Sequence, residues 1–269
     1  MEVLKELSTK LRPTKRMPLL FVGHGSPMRA ISDDDATRTW AKLGAELPEA
    51  QAYVAVSAHW LTRGTLVTDN LKPRTIHDFG GFPQELYDMK YDADGDPAIA
   101  EEIRRKLLSW DAKLDGSWGL DHGTWSVLRH MKPKPDAPIL QLSLDGRQSF
   151  EQLWSLFQEL RSLREQGVIF IGSGNIVHNL GLIRFEKPDG FDWAQEFDDK
   201  VAHALAEGRW KDLLHPESLD KAARLALPTD EHYRPLLSML ALMDQGEVPE
   251  AFNDFVEFGS LSMRSFIAR

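Results

Sequence analysis

The chain contains no cysteine among its 269 residues. Disulfides, thiolate zinc sites, iron–sulfur clusters and a cysteine nucleophile are therefore excluded. Several familiar catalytic motifs are missing too, namely the HExxH of zinc proteases, the GxxxxGK[ST] phosphate loop and the GxSxG nucleophile elbow. Any metal that the chain binds must be held by nitrogen and oxygen ligands.

Long apolar runs are also missing, and no stretch approaches the roughly 20 apolar residues of a membrane span. The first 16 residues lack the apolar core of a secretory signal. Acidic residues outnumber basic ones by 41 to 32, which gives a net charge of −9. This balance argues against nucleic acid or an anionic membrane as the main partner. We expect a cytoplasmic protein that is a monomer or a small homo-oligomer, and the charge balance does not identify its ligand.

Short apolar runs typical of strands alternate with amphipathic runs typical of helices. The strand-like runs are 18–22, 52–58, 64–68, 137–144 and 167–172. The helix-like runs, which open on capping residues, are 96–110, 149–167, 192–208 and 229–246. This alternation predicts a single α/β domain with a central mixed or mostly parallel sheet flanked by helices. We assign 1–16 to an N-terminal extension, 17–269 to one catalytic domain, and 71–97 within it to a long functional loop.

Three of the nine histidines follow strand-like runs. His24 ends the first run, in FVGHGSPM, His59 ends the second, in VAVSAHW, and His178 closes VIFIGSGNIVHN. A lone histidine in such a place is most often a hydrogen-bonded core residue or a turn residue. Three of them point to a shared site, because an open α/β sheet binds its ligands beyond the carboxyl ends of its strands.

Other histidines lie outside the strand ends. His232 falls in the first turn of the helix predicted to start near Thr229, on its inward, apolar face. His122, in LDHGTW, is predicted to lie in a glycine-containing turn, and His77, in TIHDFGGFP, lies in the long loop. The histidines to which we assign no role are His130, His203 and His215.

A cluster of imidazoles suits a catalytic metal. Neutral imidazole binds zinc, copper, iron and nickel, and two or three protein ligands leave positions open for substrate. A histidine that is not a ligand can act as a general base near neutral pH. Two chemistries fit, zinc-dependent hydrolysis and the oxygen chemistry of non-haem Fe(II). A metal-binding protein without enzymatic activity is the third alternative.

Seven motifs, in the order in which they occur, resemble those of the class III extradiol ring-cleavage dioxygenases, and in particular the 4,5-DOPA extradiol dioxygenase group. They lie between about residue 17 and residue 265 and read FVGHGSPM, VAVSAHW, TIHDFGGFP, LDHGTW, GSGNIVHNL, PTDEHYRPLL and GSLSMRS. The resemblance implies an enzyme that opens the ring of a DOPA-like catechol beside its two hydroxyls, using O2 and non-haem Fe(II).

The resemblance also implies roles for single residues. His24 and His59 match the first two metal ligands of the family. His178 matches the catalytic base and is also a candidate metal ligand. The third ligand is His232 or its neighbour Glu231, and we favour His232 because of its inward position.

Two further histidines match the family's site. His122 matches a second active-site histidine that handles protons or substrate. His77 and its loop would shape or cover the substrate pocket, although a rigid Gly/Pro turn without substrate contact explains the loop equally well. An all-histidine ligand set would lack the carboxylate of the facial triad. We expect Fe(II) for activity, while the higher charge of such a site also suits Zn(II), which has no redox chemistry.

Overall fold

The structure is a computed structural model that describes residues 10–269, and residues 1–9 of the predicted extension lie outside the described part. Its strands are β1 (Leu19–Gly23), β2 (Ala52–Ser57), β3 (Leu61–Thr62), β4 (Leu66–Thr68), β5 (Lys113–Asp115), β6 (Ile139–Gln141), β7 (Leu144–Asp145), β8 (Val168–Gly174), β9 (Glu250–Phe252), β10 (Val256–Glu257), β11 (Leu261–Ser262) and β12 (Ser265–Ala268). Its α-helices are α1 (Asp35–Glu46), α2 (Gln84–Asp88), α3 (Pro97–Lys106), α4 (His122–Met131), α5 (Phe150–Gln158), α6 (Asp192–Ala206), α7 (Pro216–Leu219), α8 (Ala223–Ala226) and α9 (Arg234–Ala241).

The central sheet has six strands in the order β6-β2-β8-β1-β12-β9. Strands β6, β2, β8 and β1 run parallel to one another, whereas β12 and β9 are antiparallel at one edge. The three middle parallel strands are buried along their whole length, as expected where helices cover both faces. The prediction of one α/β domain with a mixed, mostly parallel sheet is confirmed.

Alternate residues of the parallel strands feed two separate cores. Leu19 and Phe21 of β1 belong to a cluster with α3, α5, α6 and α9. Leu20 and Val22 belong to a second cluster, on the opposite face, with α1 and α4. This follows from the pleat of a strand, whose successive side chains point to opposite sides. The parallel strands are therefore clamped from both faces, and their carboxyl ends are held in fixed positions.

The helix predicted over 229–246 is shorter at its start than the sequence indicated. Helix α9 begins at Arg234, and residues before it form turns. Pro235 explains the start, because proline lacks a backbone N–H and is tolerated only in the first turn of a helix. The prediction that His232 lies in the first helical turn was wrong. His232 nevertheless faces inward and is only 4% exposed.

Other element boundaries moved for local reasons. His122 is the first residue of α4 rather than part of a turn, because Asp121 caps the helix by accepting from the Thr124 backbone N–H. The predicted helices over 96–110 and 149–167 each end early and continue as short 3-10 turns. The loop 71–97 contains the short helix α2. None of the helices in residues 10–269 combines the length and the apolar composition needed to cross a bilayer.

The described part of the predicted extension packs against the domain. Leu11 is buried in the first of the two cores. The backbone N–H of Thr14 donates to the carbonyl of Glu165 at 2.8 Å. Residues 10–16 therefore contact the domain that follows them.

The packing of α1 on α4 generates a prediction about stability. A Cβ added to Gly44 would lie 2.1 Å from the Met131 carbonyl oxygen. Alanine normally stabilises a helix interior by about 1 kcal/mol relative to glycine. Here we expect Gly44→Ala to lower the free energy of unfolding instead, by roughly 1–3 kcal/mol, because the helices must move apart. Urea unfolding measures the change.

The control for this prediction is Ala45→Gly at the next, exposed position of the same helix. It should cost about 1 kcal/mol through helix propensity alone. A Gly44→Ala protein that is more stable than the wild type would contradict the close approach of the two helices.

Candidate metal centre

Five histidines come together beyond the carboxyl ends of the parallel strands. His24 follows β1, His59 lies just past β2, and His178 lies past β8. His122 opens α4, and His232 lies in the turn before α9. Ring centroids of neighbouring pairs lie 3.4 Å apart for His178 and His232 and up to 5.7 Å apart for His24 and His122. The structure thus brings together all of the predicted site histidines except His77.

The centre of the cluster is a group of three converging rings. The Nε2 atoms of His24 and His59 are 3.1 Å apart. One nitrogen each of His24, His59 and His232 forms a set in which all members lie within 4.8 Å of one another. Metal–nitrogen bonds of about 2.0–2.1 Å in a tetrahedral site separate neighbouring ligands by roughly 3.3–3.4 Å. The separation of the first pair is therefore close to that of two ligands on one ion.

Hydrogen bonds behind His24 determine which of its nitrogens carries the proton. The Ser173 hydroxyl donates to the Gly123 carbonyl at 2.6 Å, so its oxygen is free to accept. That oxygen lies 2.9 Å from His24 Nδ1, which must then be the donor. The proton on Nδ1 leaves the Nε2 lone pair of His24 directed at His59, as a metal ligand requires.

His232 is oriented in the same way by Asn175. The Asn175 amide donates to the Ser262 carbonyl at 2.7 Å, which turns its oxygen toward the histidine. His232 Nδ1 donates to that oxygen at 3.1 Å. The Asn175 backbone N–H also donates to the His232 carbonyl at 2.9 Å. The turn before α9 is thereby fastened to the end of β8, with the second ring nitrogen of His232 left unprotonated.

Asp78 lies behind both remaining rings of the cluster. Its Oδ2 atom is 3.2 Å from His59 Nδ1 and 3.0 Å from His122 Nδ1. Its Oδ1 atom accepts from the backbone N–H of His122 at 2.9 Å. The side chain is 18% exposed, so water reaches this contact only in part.

A second carboxylate, Asp121, holds the end of β2 and the start of α4, the elements next to His59 and His122. It accepts from the Ser57 hydroxyl at 2.7 Å and from the Gln141 amide at 2.7 Å, and it is fully buried. The Ser57 oxygen in turn accepts from the His59 backbone N–H at 3.2 Å. Asp121 therefore fixes the end of β2 and the start of α4 relative to each other.

Burial keeps most of these imidazoles neutral. It lowers the pKa values of His24 and His232 well below the ordinary value, and neighbouring histidines lower them further. Burial also lowers the pKa of His178 to about 4 and, less strongly, that of His122. Neutral imidazole is the form that binds a transition metal.

His59 and Asp78 behave differently from the rest of the cluster. Burial would lower the pKa of His59, but the Asp78 carboxylate, together with Asp121 and Glu231, outweighs it, and the pKa lies above the ordinary value. Burial would raise the pKa of Asp78, yet contacts with His122 and His59 lower it well below its usual range. The imidazole nitrogens, with the ionised Asp78 behind His59, fit a divalent transition metal, which would displace any proton on the ligating nitrogen of His59.

Two predicted residues lie at the margin of the cluster. His77 donates from Nε2 to the Met89 carbonyl at 3.0 Å, and its ring packs against Phe79. Glu231 accepts from the Thr229 hydroxyl at 2.8 Å, and one of its oxygens lies within 4.8 Å of nitrogens of His178 and His232. The histidines without a predicted role are also engaged elsewhere, with backbone carbonyls or an exposed carboxylate: His130, His203 and His215.

Two residues that orient the rings, Asp78 and Asn175, were not predicted from the sequence. Asp78 lies in TIHDFGGFP, and Asn175 lies in GSGNIVHNL, two residues after Ser173. The available signal was position, because Ser173 pairs in register with Ser57 at the ends of β8 and β2. Polar residues at the last positions of buried strands are candidates for a role beside a ligand.

The chain resembles known proteins along almost its whole length. Residues 18–263 match the family described as the catalytic LigB subunit of aromatic ring-opening dioxygenase. A 4,5-DOPA dioxygenase extradiol of Escherichia coli K12 is 44% identical over 257 residues, which cover 93% of this chain and 94% of that protein. The protein of the same name from Beta vulgaris is 31% identical and covers 91% and 94% of the two chains. The crystal structure of an uncharacterized protein from Escherichia coli K12 has a TM-score of 0.82 at 37% identity and covers 94% and 99%.

The contact between Ser173 and His24 predicts an effect on metal binding. We expect Ser173→Ala to weaken binding of Zn(II) or Co(II) by about 10–100-fold, because His24 loses the partner that fixes its tautomer. Competition with a chromogenic chelator measures the affinity. Ser126→Ala is the matched control, because this buried serine has no hydrogen-bond partner among residues 10–269. Equal affinities of the two variants would disprove a role for Ser173.

Proposed function

The chain belongs to the family of the catalytic LigB subunit of aromatic ring-opening dioxygenases, and from this premise we propose that it cleaves the ring of a DOPA-like catechol beside its two hydroxyls. Membership makes the chain an enzyme, a dioxygenase, and confirms the resemblance found in its motifs. The names of its bacterial and plant relatives support the extradiol position of cleavage and DOPA as the first substrate to test.

The proposed metal ligands are His24, His59 and His232, and the metal expected for activity is Fe(II). The observation that carries this assignment is the 3.1 Å separation of two Nε2 atoms whose opposite nitrogens are engaged elsewhere. Bound Fe(II) would supply electron exchange with O2 and an attachment point for the two catechol oxygens. Zn(II) suits the same three nitrogens but has no redox chemistry, so it would leave the site intact and inactive.

His178 is the proposed general base, which removes a proton from a catechol hydroxyl. It is stacked on His232 at a centroid distance of 3.4 Å, so it lies beside the proposed ligands. Burial lowers its pKa to about 4, which leaves the ring neutral and able to accept a proton at physiological pH.

His122 is the proposed second proton-handling residue. Its ring lies 3.9 Å from the His59 ring, and Asp78 occupies the side of Nδ1. With Nδ1 protonated, the other nitrogen can give or take a proton next to the substrate. His122 packs beside His59, whereas His178 stacks on His232, so proton removal and proton return can occur at different atoms of the substrate.

The loop that follows His77 forms the proposed wall of the substrate pocket. Phe79 packs edge-on against His122 at 5.5 Å and against Phe82 at 5.4 Å. His77 packs edge-on against Phe79, with ring centroids 5.8 Å apart. An aromatic wall of this kind would pack against the catechol ring and limit the entry of water.

We also propose the substrate class, the location, the oligomeric state and the excluded partners of the enzyme. Its substrates are a small molecule and O2. We propose a cytoplasmic monomer or small homo-oligomer, with 17–269 as the catalytic domain. The net charge of −9 supports the view that neither nucleic acid nor an anionic membrane is a partner.

Oxygen consumption tests the proposal. We expect protein loaded with Fe(II) in the absence of air, then given L-DOPA and O2, to consume O2 and form a yellow product. His24→Ala should abolish both metal binding and turnover, whereas the exposed His203→Ala should change neither. Turnover of an ester or amide by the Zn(II) form without O2, and no reaction with catechols, would favour the hydrolase instead.

A second measurement separates base from ligand at His178. We expect His178→Gln to lower kcat by roughly 10²–10⁴-fold, the usual contribution of a general base, while the affinity for metal stays within a few-fold. Steady-state oxygen uptake and chelator competition give the two values. A parallel loss of metal affinity would make His178 a ligand and not a base.

A further inference from the structure

One carboxylate oxygen lies against two imidazoles to which different roles are proposed. Asp78 Oδ2 is 3.2 Å from His59 Nδ1, on a proposed metal ligand, and 3.0 Å from His122 Nδ1, on a proposed proton-transfer residue. The other oxygen, Oδ1, accepts from the His122 backbone N–H at 2.9 Å. Both carboxylate oxygens of Asp78 therefore contact nitrogen atoms, and these contacts hold the loop that contains Asp78 against the first turn of α4.

We propose that Asp78 is a positioning residue that supplies, from behind His59 and His122, the negative charge that an all-histidine ligand set lacks. The inference rests on the proposed function, since it concerns the same site. It assigns to Asp78 an electrostatic and orienting role, without contact to substrate or metal.

The two ring nitrogens of His59 face different partners. Nε2 faces His24 Nε2 at 3.1 Å, while Nδ1 faces the carboxylate. A carboxylate at Nδ1 keeps the proton there, holds the ring in its plane and makes the opposite nitrogen more basic. The negative charge thus reaches the cation through the ring of His59, which would strengthen metal binding.

The rings of His122 and His59 pack against each other, which couples their positions. Their centroids are only 3.9 Å apart, so neither ring can tilt without displacing the other. The two Nδ1 atoms lie 3.0 and 3.2 Å from the same carboxylate oxygen, and this negative charge favours a proton on Nδ1 of each ring. Asp78 therefore sets the position of a ligand and of a proton carrier together.

Two simpler roles for Asp78 make different predictions. As a loop anchor it would need only Oδ1, which accepts from the His122 backbone. As a direct ligand it would need to lie on the Nε2 side of His59, yet its oxygen lies on the Nδ1 side. Asparagine at position 78 retains the Oδ1 acceptor and removes the charge, so it separates the anchor from the electrostatic role.

The first test is the affinity of Asp78→Asn for Co(II) or Zn(II) by chelator competition. We expect binding to weaken by about 10–100-fold, the usual effect of removing the partner of a ligating histidine. Asp136→Asn is the matched control, because that carboxylate accepts from Tyr53 and Lys132 outside the cluster. The urea midpoint of the metal-free Asp78→Asn protein should stay at the wild-type value. An affinity within twofold of the wild type would overturn the proposal.

The second test uses the Fe(II) enzyme and a double-mutant cycle with His122→Asn. At saturating Fe(II), Asp78→Asn should lower kcat in the wild-type background and have a smaller effect when His122 is absent, while its loss of metal affinity persists in both backgrounds. Equal effects on kcat in both backgrounds would remove His122 from the proposed coupling. If the wild type cleaves no catechol, the proposed function fails, but the affinity measurement still decides the role of Asp78.

Discussion

The approach of two ring nitrogens, Nε2 of His24 and Nε2 of His59, is the interaction on which the site depends. Lone pairs 3.1 Å apart repel each other unless a cation or a shared proton lies between them. Burial lowers the pKa of His24 well below its ordinary value, whereas nearby carboxylates raise the pKa of His59, so a proton shared in the absence of metal would belong to His59. The hydrogen bond from His24 to Ser173 keeps its Nε2 directed inward. The fold thus holds the rings in an arrangement that a divalent metal would stabilise.

Close packing at the strand ends makes this arrangement possible. A Cβ on Gly23 would lie 2.7 Å from the Met263 backbone, and one on Gly174 would lie 2.2 Å from the His232 carbonyl oxygen. Both distances are too short for any side chain, so glycine lets the last turns of β1 and β8 approach neighbouring backbone. The close approach of Gly174 to the His232 carbonyl brings His232 over the sheet.

The sequence predicted the positions of the site histidines better than it predicted the residues that contact and orient their rings. His24, His59 and His178 follow buried strands, a local pattern that predicts where a parallel sheet gathers its side chains. The start of α9 was misplaced because the helical spacing of its apolar residues outweighed the effect of Pro235. Asp78 was overlooked because its loop has no periodicity, and its contact with His59 and His122 depends on how that loop packs in three dimensions.

The placement of negative charge distinguishes this site from the common facial triad of two histidines and a carboxylate. The proposed ligands are three imidazoles, and the ionised Asp78 lies behind one of them, 3.2 Å from His59 Nδ1. A carboxylate bound directly to the metal would neutralise part of its charge before substrate arrives. With three imidazoles as ligands, more of the positive charge would remain for the oxygens of the proposed catechol substrate. The neutral His178 beside the ligands is then well suited to remove the proton.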